Sequence, residues 1–251
     1  MSDSTSHATV YELKPFKYSS HYWILNLLER EQAPLKILDV GTASGYLGKI
    51  LGGKGHSVTG IEYDVATAER ARPFYDSFEL ADLESFAFPY RDEFDYILFA
   101  DVLEHLRDPE AVLRRCIPAL KESGKIIISV PNIANILIRM SLLLGKFDYM
   151  ERGILDRTHL RFFTLRSLKK MMAEVDCRVL GVIPTPLPMQ IVISSTAKPA
   201  FAPVHELINA LTRCWKKAFA YQFVIVAASS HRQISDPASA ESLPERMLTH
   251  Q

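Results

Sequence analysis

Residues Leu35–Gly48 carry the sequence LKILDVGTASGYLG, and this stretch decides the fold. Its apolar first half is typical of a buried β-strand, and the glycines that follow indicate a turn that opens a helix. Gly41 and Gly45 permit positive φ and let a ligand approach the backbone closely. The helix that begins there offers free N–H groups and the positive end of its dipole. The stretch predicts a strand–turn–helix unit with a ligand-binding loop, although alone it also fits an ordinary strand-to-helix connection.

The same rhythm continues outward, because short apolar runs alternate with helical patterns from residue 37 to residue 228. Such alternation is typical of β-α-β units in a parallel sheet. The predicted strands are Lys36–Val40, Ser57–Glu62, Ser77–Ala81, Asp95–Ala100, Lys125–Val130, Arg178–Ile183 and Gln222–Ala227. The predicted helices between and after them are Gly45–Leu51, Val65–Arg72, Pro109–Leu120, Leu165–Ala173 and His205–Phe219. We therefore predict an α/β protein with a doubly wound, Rossmann-like sheet.

A single domain is predicted over residues 18–230, with a flexible N-terminus at 1–17 and a disordered tail at 231–251. The two ends are polar and lack an apolar period, which is the basis for calling them unstructured. Two insertions, at about 131–163 and 186–219, interrupt the α/β rhythm. Apolar residues at helical spacing in the first are interpreted as a packed lid or core face rather than a lipid site: Ile133, Ile136, Leu137, Met140 and Leu144. The helix in the second could cover the acceptor or form a homodimer contact.

Composition excludes several classes of protein. The 29 basic and 29 acidic residues give zero formal net charge, which argues against a nucleic-acid partner. Three separated cysteines without CxxC spacing suit reduced thiols rather than a disulfide framework or a zinc site. No transmembrane segment or secretory signal is apparent, so a cytoplasmic location is expected. No metal site is predicted either, because the histidines are scattered and no carboxylate cluster lies outside the strand ends.

Carboxylates stand at or near the carboxyl ends of four predicted strands, at Asp39, Glu62, Asp82 and Asp101. In open α/β sheets, ligands bind at this edge. Glu62 can accept hydrogen bonds from both hydroxyls of a ribose, with a solvated strand-end acid as the alternative. Asp82 can accept one from an adenine amino group. The four acids suit a ligand with a ribose, an amino-bearing base and a positive charge, and they suit a pyrophosphate poorly.

Five segments in order, LDVGTASGYLG, GIEYD, ADLE, FDYILFADVLEHLRDP and GKIIISVPN, resemble the motifs of class I S-adenosylmethionine methyltransferases. They are most similar to the branch that includes the ubiquinone-type O-methyltransferases. The later stretch GILDRTHLRFFT, from Gly153 to Thr164, resembles a bacterial subgroup associated with glycan and cell-surface biosynthesis. The resemblance covers roughly residues 18–183. It implies S-adenosylmethionine as cofactor and a seven-stranded, mostly parallel sheet with an antiparallel last strand and helical insertions over the active site.

The resemblance also implies a cofactor pocket, residue by residue. The implied cofactor-binding residues are Asp39, Gly41, Thr42, Ala43, Gly45, Glu62, Tyr63, Asp82, Leu83, Asp101 and Val102. Within this set, Asp39 and the two glycines would hold the methionine part, and Glu62 the ribose. Asp82 and the leucine after it would flank the adenine, and Asp101 would lie near the sulfonium. Ala43 departs from the family's usual glycine, and its methyl group slightly narrows the approach to the loop.

Methyl transfer to a hydroxyl benefits from a general base, and histidine is well tuned for that role near neutral pH. His159, oriented by Asp156, is the preferred candidate, and the alternative is a salt-bridged structural loop that contains both residues. His105 is the second candidate base, with packing of the cofactor pocket as its alternative.

The candidate acceptor-binding residues are Arg157, Arg161 and Tyr149. The arginines could bind a phosphate or carboxylate, or pair with neighbouring acids instead. We predict O-methylation of a sugar or another small-molecule hydroxyl, so that the partner would be a small-molecule or glycan acceptor. The alternatives are a nicotinamide-dependent oxidoreductase, whose Gly-x-Gly-x-x-Gly turn is absent here, and a scaffold that kept the cofactor fold.

Overall fold

The computed structural model describes residues 16–31, 34–189 and 201–230. The strands are β1 (Lys36–Val40), β2 (Ser57–Glu62), β3 (Ser77–Leu80), β4 (Phe94–Ala100), β5 (Leu120–Pro131), β6 (Cys177–Thr185) and β7 (Gln222–Ser229). The helices are α1 (Ser20–Leu28), α2 (Tyr46–Gly53), α3 (Val65–Ala71), α4 (Pro109–Cys116), α5 (Ile136–Leu143), α6 (Leu165–Glu174), α7 (Ala202–Cys214) and α8 (Lys216–Phe219). Residues 1–15 and 231–251 of the predicted flexible ends lie outside the described residues.

The seven strands form one sheet in the order β3-β2-β1-β4-β5-β7-β6. The pairs from β3 through β5 are parallel, whereas β7 runs antiparallel to both β5 and β6. The predicted doubly wound, mostly parallel sheet is therefore confirmed. The strand order reverses between β1 and β4, and such a switch point opens a ligand-binding crevice at the carboxyl edge.

The core lies in two layers, one on each face of the sheet. Helices α1 and α2 pack on one face, and α4 and α6 pack on the other. In β4, Leu98 belongs to the first layer and the next residue, Phe99, to the second, because successive side chains of a strand alternate. Both are fully buried. Burying each such side chain stabilises the fold by about 1.5–3 kcal/mol. The packed layers on both faces therefore hold the strands, and with them the strand ends, in fixed relative positions.

Local signals set several of the element boundaries. Asp108 caps α4 by accepting a hydrogen bond from the Ala111 N–H at 2.9 Å, as the Asp-Pro start predicts. The helix predicted over Pro109–Leu120 ends earlier, at Cys116, and a short 3₁₀ helix follows. Pro118 explains the difference, because it has no N–H to continue the α-helical hydrogen bonds.

Each insertion contains helix in its described residues, but the packing differs from the prediction. Leu137, Met140 and Leu144 of the first insertion are 52%, 49% and 71% exposed, so the predicted core face is wrong for these three residues. The eight-residue α5 buries mainly Ile138, which packs with Ile154 and Leu155. The helix predicted over 205–219 is divided at Trp215, whose backbone leaves the helical conformation. Among the described residues, no helix is long and apolar enough to cross a membrane.

Candidate functional site

The loop between β1 and α2 has an unusual backbone. Gly41, Ala43 and Gly45 have φ values of +75°, +48° and +79°. A Cβ added to Gly41 would lie 2.7 Å from a methyl group of Val102, and one added to Gly45 would lie 2.8 Å from the Cα of Ala71. The two glycines are therefore required by both conformation and space. The left-handed conformation of Ala43 costs roughly 1–2 kcal/mol of conformational free energy.

The N-terminus of α2 points out of this loop without a side-chain cap. Its first N–H groups and the helix dipole therefore make it suited to an anionic group. Glu62 holds the loop from β2: its carboxylate accepts hydrogen bonds from the N–H groups of Ala43 (3.0 Å), Tyr63 (3.0 Å) and Asp64 (3.2 Å). Burial raises the pKa of Glu62. A carboxylate has about four acceptor sites, so roughly one remains for a ligand hydroxyl.

Asp39 is 1% exposed. One of its oxygens accepts a hydrogen bond from the Tyr75 hydroxyl at 2.7 Å, and the other has no hydrogen-bond partner within the described part of the chain. Burial raises the pKa of Asp39 to about 6, the Tyr75 hydrogen bond opposes that shift, and the charge of Glu62 adds to it. The structure thus places Asp39 inside the protein, where it supports the loop.

Asp101 lies at the end of β4 with a φ of +59°. Its carboxylate accepts hydrogen bonds from Ser129 Oγ (2.6 Å), Gln222 Nε2 (3.0 Å) and Ser20 Oγ (3.4 Å). These partners come from β5, β7 and α1, so four elements meet at this carboxylate. Nearby, the Tyr46 hydroxyl lies 2.6 Å from His21 Nε2. The partners of Asp101 were not predicted, because nothing local marks a strand serine or glutamine as part of a site.

The other predicted cofactor-binding residues occupy varied positions. Thr42 and Val102 are buried, whereas Tyr63 is 74% exposed. Asp82 is exposed and accepts a hydrogen bond from the backbone N–H two residues further on, at 2.9 Å. Leu83 belongs to the hydrophobic core. Their roles toward a cofactor remain predictions.

Two of the predicted catalytic residues, His105 and His159, are in contact, with ring centroids 4.9 Å apart in an edge-to-face arrangement. His105 Nδ1 lies 3.3 Å from the carbonyl oxygen of Thr158, and His159 Nδ1 lies 3.1 Å from that of Ile154. A carbonyl only accepts, so each ring donates from Nδ1, and a neutral ring then has its lone pair on Nε2. Burial, and next the neighbouring His159, lower the pKa of His105, which favours that neutral form.

Glu104 lies close to the two histidines. It is 1% exposed, and one ligand atom from each of the three residues lies within 4.8 Å of the others. The backbone carbonyl of Glu104 accepts hydrogen bonds from the N–H groups of Leu160 (2.8 Å) and Arg161 (3.0 Å), which hold the insertion against this segment. The expectation that the histidines are scattered is therefore wrong for this pair. Such a group of residues could hold a metal ion.

The remaining predicted residues lie around this cluster. Asp156 is buried and accepts hydrogen bonds from Thr158 N (2.8 Å) and Oγ1 (2.7 Å), so it orders the loop that carries His159. Arg161 Nε donates to the carbonyl oxygen of Arg107 at 3.0 Å. Arg157 and Tyr149 are exposed. Neither Arg157 nor Arg161 takes part in an ion pair within the described part of the chain.

The N-terminal segment is attached to α7 above the sheet edge. The Tyr18 hydroxyl lies 2.7 Å from both carboxylate oxygens of Glu206, and Lys17 Nζ lies 2.9 Å from one of them. A small surface pocket lies between these elements. Its lining includes Phe16, Pro186, Leu187, Pro188, Met189 and Ile208.

The sheet with its antiparallel β7 between β5 and β6, the glycine loop at the switch point and the acids along one edge define the Rossmann-like methyltransferase class. A family profile described as "Methyltransferase domain" matches residues 18–182. The chain belongs to this family of methyltransferase domains.

Similar proteins carry related names. A ubiquinone biosynthesis O-methyltransferase of Thiobacillus denitrificans is 34% identical over 110 residues, which is 40% of this chain and 47% of that protein. One from Psychrobacter cryohalolentis is 27% identical over 193 residues, covering 67% of this chain and 73% of that protein. The first match thus spans about half the length of the relative.

Solved structures show the same fold at low sequence identity. An S-adenosylmethionine-dependent methyltransferase from Mesorhizobium loti has a TM-score of 0.57 at 19% identity, covering 83% of this chain and 97% of that one. The [4+2]-cyclase SpnF has a TM-score of 0.52 at 16% identity, covering 82% of this chain and 80% of its own. These likenesses concern the fold alone.

Proposed function

We propose that this methyltransferase acts on a hydroxyl oxygen of a small molecule. The observation that carries the proposal is the His105–His159 pair, two imidazoles fixed at Nδ1 by carbonyl oxygens at the carboxyl edge of β4. A neutral imidazole with its lone pair on Nε2 can accept the proton that a hydroxyl loses. The relatives named for ubiquinone biosynthesis support a ring hydroxyl as the acceptor more than the sugar or glycan hydroxyl that the sequence suggested.

The residues around the β1–α2 loop fit the cofactor. Three residues of this loop have left-handed backbone, Gly41 packs too closely against Val102 to carry a Cβ, and the uncapped N-terminus of α2 suits a carboxylate. Glu62 has acceptor capacity for about one ribose hydroxyl, fewer than the two expected from sequence. Asp39, which is buried directly before the loop in the chain, is a positioning residue for the loop.

When bound, S-adenosylmethionine supplies a methyl group on a positively charged sulfur. Asp101 contributes negative charge at the strand end, and its three hydrogen-bond donors hold that carboxylate in place. His159 takes the acceptor proton on Nε2, and the hydrogen bond to Ile154 keeps the ring oriented. Positioning of the acceptor oxygen supplies a further part of the rate acceleration.

The test uses S-adenosylmethionine with a labelled methyl group and matched acceptors: catechols and phenols, the same rings with the hydroxyl removed, and free sugars. We expect label only in ring-hydroxyl compounds, as a methyl ether. Calorimetry with S-adenosylmethionine and with NAD, on wild type and Glu62→Ala, checks the cofactor separately. Label on nitrogen or on a sugar would refute the acceptor assignment. Tight cofactor binding with no transfer to any acceptor would favour a non-transferring role.

A further inference from the structure

Four aromatic side chains follow one another from the surface of the first insertion to the segment after β4. The ring centroid of Phe147 lies 6.2 Å from that of Phe162, which in turn lies 6.4 Å from that of His159. The rings of His159 and His105 are 4.9 Å apart. Each neighbouring pair is edge-to-face, with interplanar angles between 71° and 75°. We call these four residues the aromatic row.

The insertion itself holds the outer part of the row in place. Gly145 follows the end of α5 with a φ of +71°, a conformation that favours glycine and lets the chain leave the helix just before Phe147. The Met150 N–H then donates to the carbonyl oxygen of Leu155 at 2.8 Å, which joins the two arms of the insertion. Phe162 packs on the apolar cluster that contains Leu155. The position of the row is thus determined by local backbone and core contacts.

The outer end of the row exposes ring surface to solvent. Phe147 is 41% exposed, and Tyr149, which contacts it edge-to-face at 5.5 Å, is 49% exposed. Covering such surface with an apolar group is favourable, and another aromatic ring gains further through edge-to-face or offset-stacked contacts. A sugar would bring several hydroxyl groups, each of which needs a hydrogen-bond partner once it leaves water. The row therefore favours a planar aromatic ligand over a sugar.

We propose that the aromatic row, together with Tyr149, binds the aromatic ring of the methyl acceptor, and that Phe147 and Phe162 determine specificity. The row leads to His159, so a ring that packs on Phe162 brings its hydroxyl toward that imidazole. His159 Nδ1 is held by the carbonyl oxygen of Ile154 at 3.1 Å, which leaves Nε2 to accept the proton. The role of the hydroxyl rests on the proposed function, whereas the binding of the ring can be measured without any transfer.

The experiment compares two ligands that differ in the ring alone. Calorimetry on the full chain, saturated with S-adenosylhomocysteine, measures binding of catechol and of cyclohexane-1,2-diol, its saturated counterpart. We expect catechol to bind at least about tenfold more tightly to wild type. Phe147→Leu and Phe162→Leu should each lower this preference about 2- to 12-fold, which corresponds to roughly 0.5–1.5 kcal/mol.

Two further variants separate the effect of the ring from a general loss of apolar volume. Phe147→Tyr keeps an aromatic ring and should retain the preference for catechol. Phe78→Leu is the matched control, because Phe78 lies in β3 at the far edge of the sheet from β5 and the insertion that follows it. It should leave the preference unchanged. Thermal unfolding shows that each variant is folded, and Phe147→Leu alters a side chain that is already partly in solvent.

The outcomes distinguish the ring-binding subsite from the proposed function. An equal preference for catechol in wild type and in both leucine variants, or no binding of catechol by folded wild type, would overturn the subsite. Methyl transfer to phenols with an unchanged KM in Phe147→Leu and Phe162→Leu would also overturn it, while the proposed function would stand. Catechol bound through the row without methyl transfer to any hydroxyl would support the subsite and refute the proposed function.

Discussion

The two halves of the site lie on one sheet edge but are built differently. On the cofactor side, the loop after β1 is held by Glu62, and the Ala43–Glu62 hydrogen bond joins residues 19 apart in the chain. The acceptor side begins at Asp101, the predicted cofactor residue nearest the sulfonium, which is held by Ser20 and Gln222, 81 and 121 residues away. The first half is a local structure and the second an assembly of distant segments.

This difference explains which half a sequence can specify by itself. Local hydrogen bonds need only the right residues at short spacing, so a motif of about 25 residues contains the whole loop. The acceptor side needs the completed sheet, because its partners meet only when β4, β5 and β7 are paired. We therefore expect substitutions on the two sides to have separable effects.

The largest expected effect tests that separation directly. His159→Gln should lower kcat by about 10²- to 10⁴-fold, because it removes the imidazole from the acceptor side. The dissociation constant of S-adenosylmethionine should stay within about twofold, since nothing on the cofactor side changes. Single-turnover kinetics and calorimetry measure the two quantities. Glu62→Ala should show the converse, and a loss of cofactor affinity in His159→Gln would mean that the two sides are one unit.

A second prediction concerns Asp39, the buried support of the cofactor side. Its pKa of about 6 in the folded chain, against 3.8 ordinarily, means that the folded state keeps a proton that the unfolded state has lost. This stabilising effect is complete below pH 4 and is lost as pH rises to 6. Asp39→Asn removes the buried charge, so at pH 8 it should raise the free energy of unfolding by at most about 3 kcal/mol.

Urea unfolding from pH 4 to pH 8 checks this prediction. The difference between variant and wild type should grow up to about pH 6 and then remain constant. A difference independent of pH would show that Asp39 titrates normally, and that the cofactor side stores no such electrostatic strain.

The smallest expected effect lies where the two sides touch, at Gly41 and Val102. Gly41→Ala should weaken S-adenosylmethionine binding at least about 5- to 30-fold, because roughly 1–2 kcal/mol of left-handed strain accounts for that much and the clash with Val102 adds to it. Adding Val102→Ala should recover only the part due to the clash. Gly52→Ala is the matched control, because its added Cβ would meet nothing closer than 3.7 Å. Full recovery in the double variant would show that conformational strain contributes nothing.

The cofactor side could be predicted from the sequence better than the acceptor side. The bounds of β1 and β2, the two strands around the glycine loop, agree with the prediction, and the sheet class is confirmed. The contact of His105 with His159 was not predicted, because 53 intervening residues hide it until the insertion folds back. Glu104 was missed for the same reason, since its neighbours in the chain give no sign of its partners.

Other differences have local physical causes. Helix α1 was not predicted, although Ser19 caps it by accepting a hydrogen bond from Tyr22 N at 3.0 Å. The apolar period of α5 predicted burial, but an eight-residue helix on the outside of an insertion packs one residue and exposes the others. Periodicity shows that a face exists, and only the surrounding fold determines whether that face is covered.

The position of β7 has a consequence for how the chain is synthesised. Among the described strands it is the last to leave the ribosome, yet it lies between β5 and β6 and supplies Gln222 to Asp101. Until about residue 229 has emerged, β6 has no strand partner and β5 has an open edge. A nascent chain can therefore complete its cofactor loop early, while its acceptor side waits for translation to reach the final strand. Exposed strand edges at that stage invite pairing with other chains, which makes this interval the time of greatest aggregation risk.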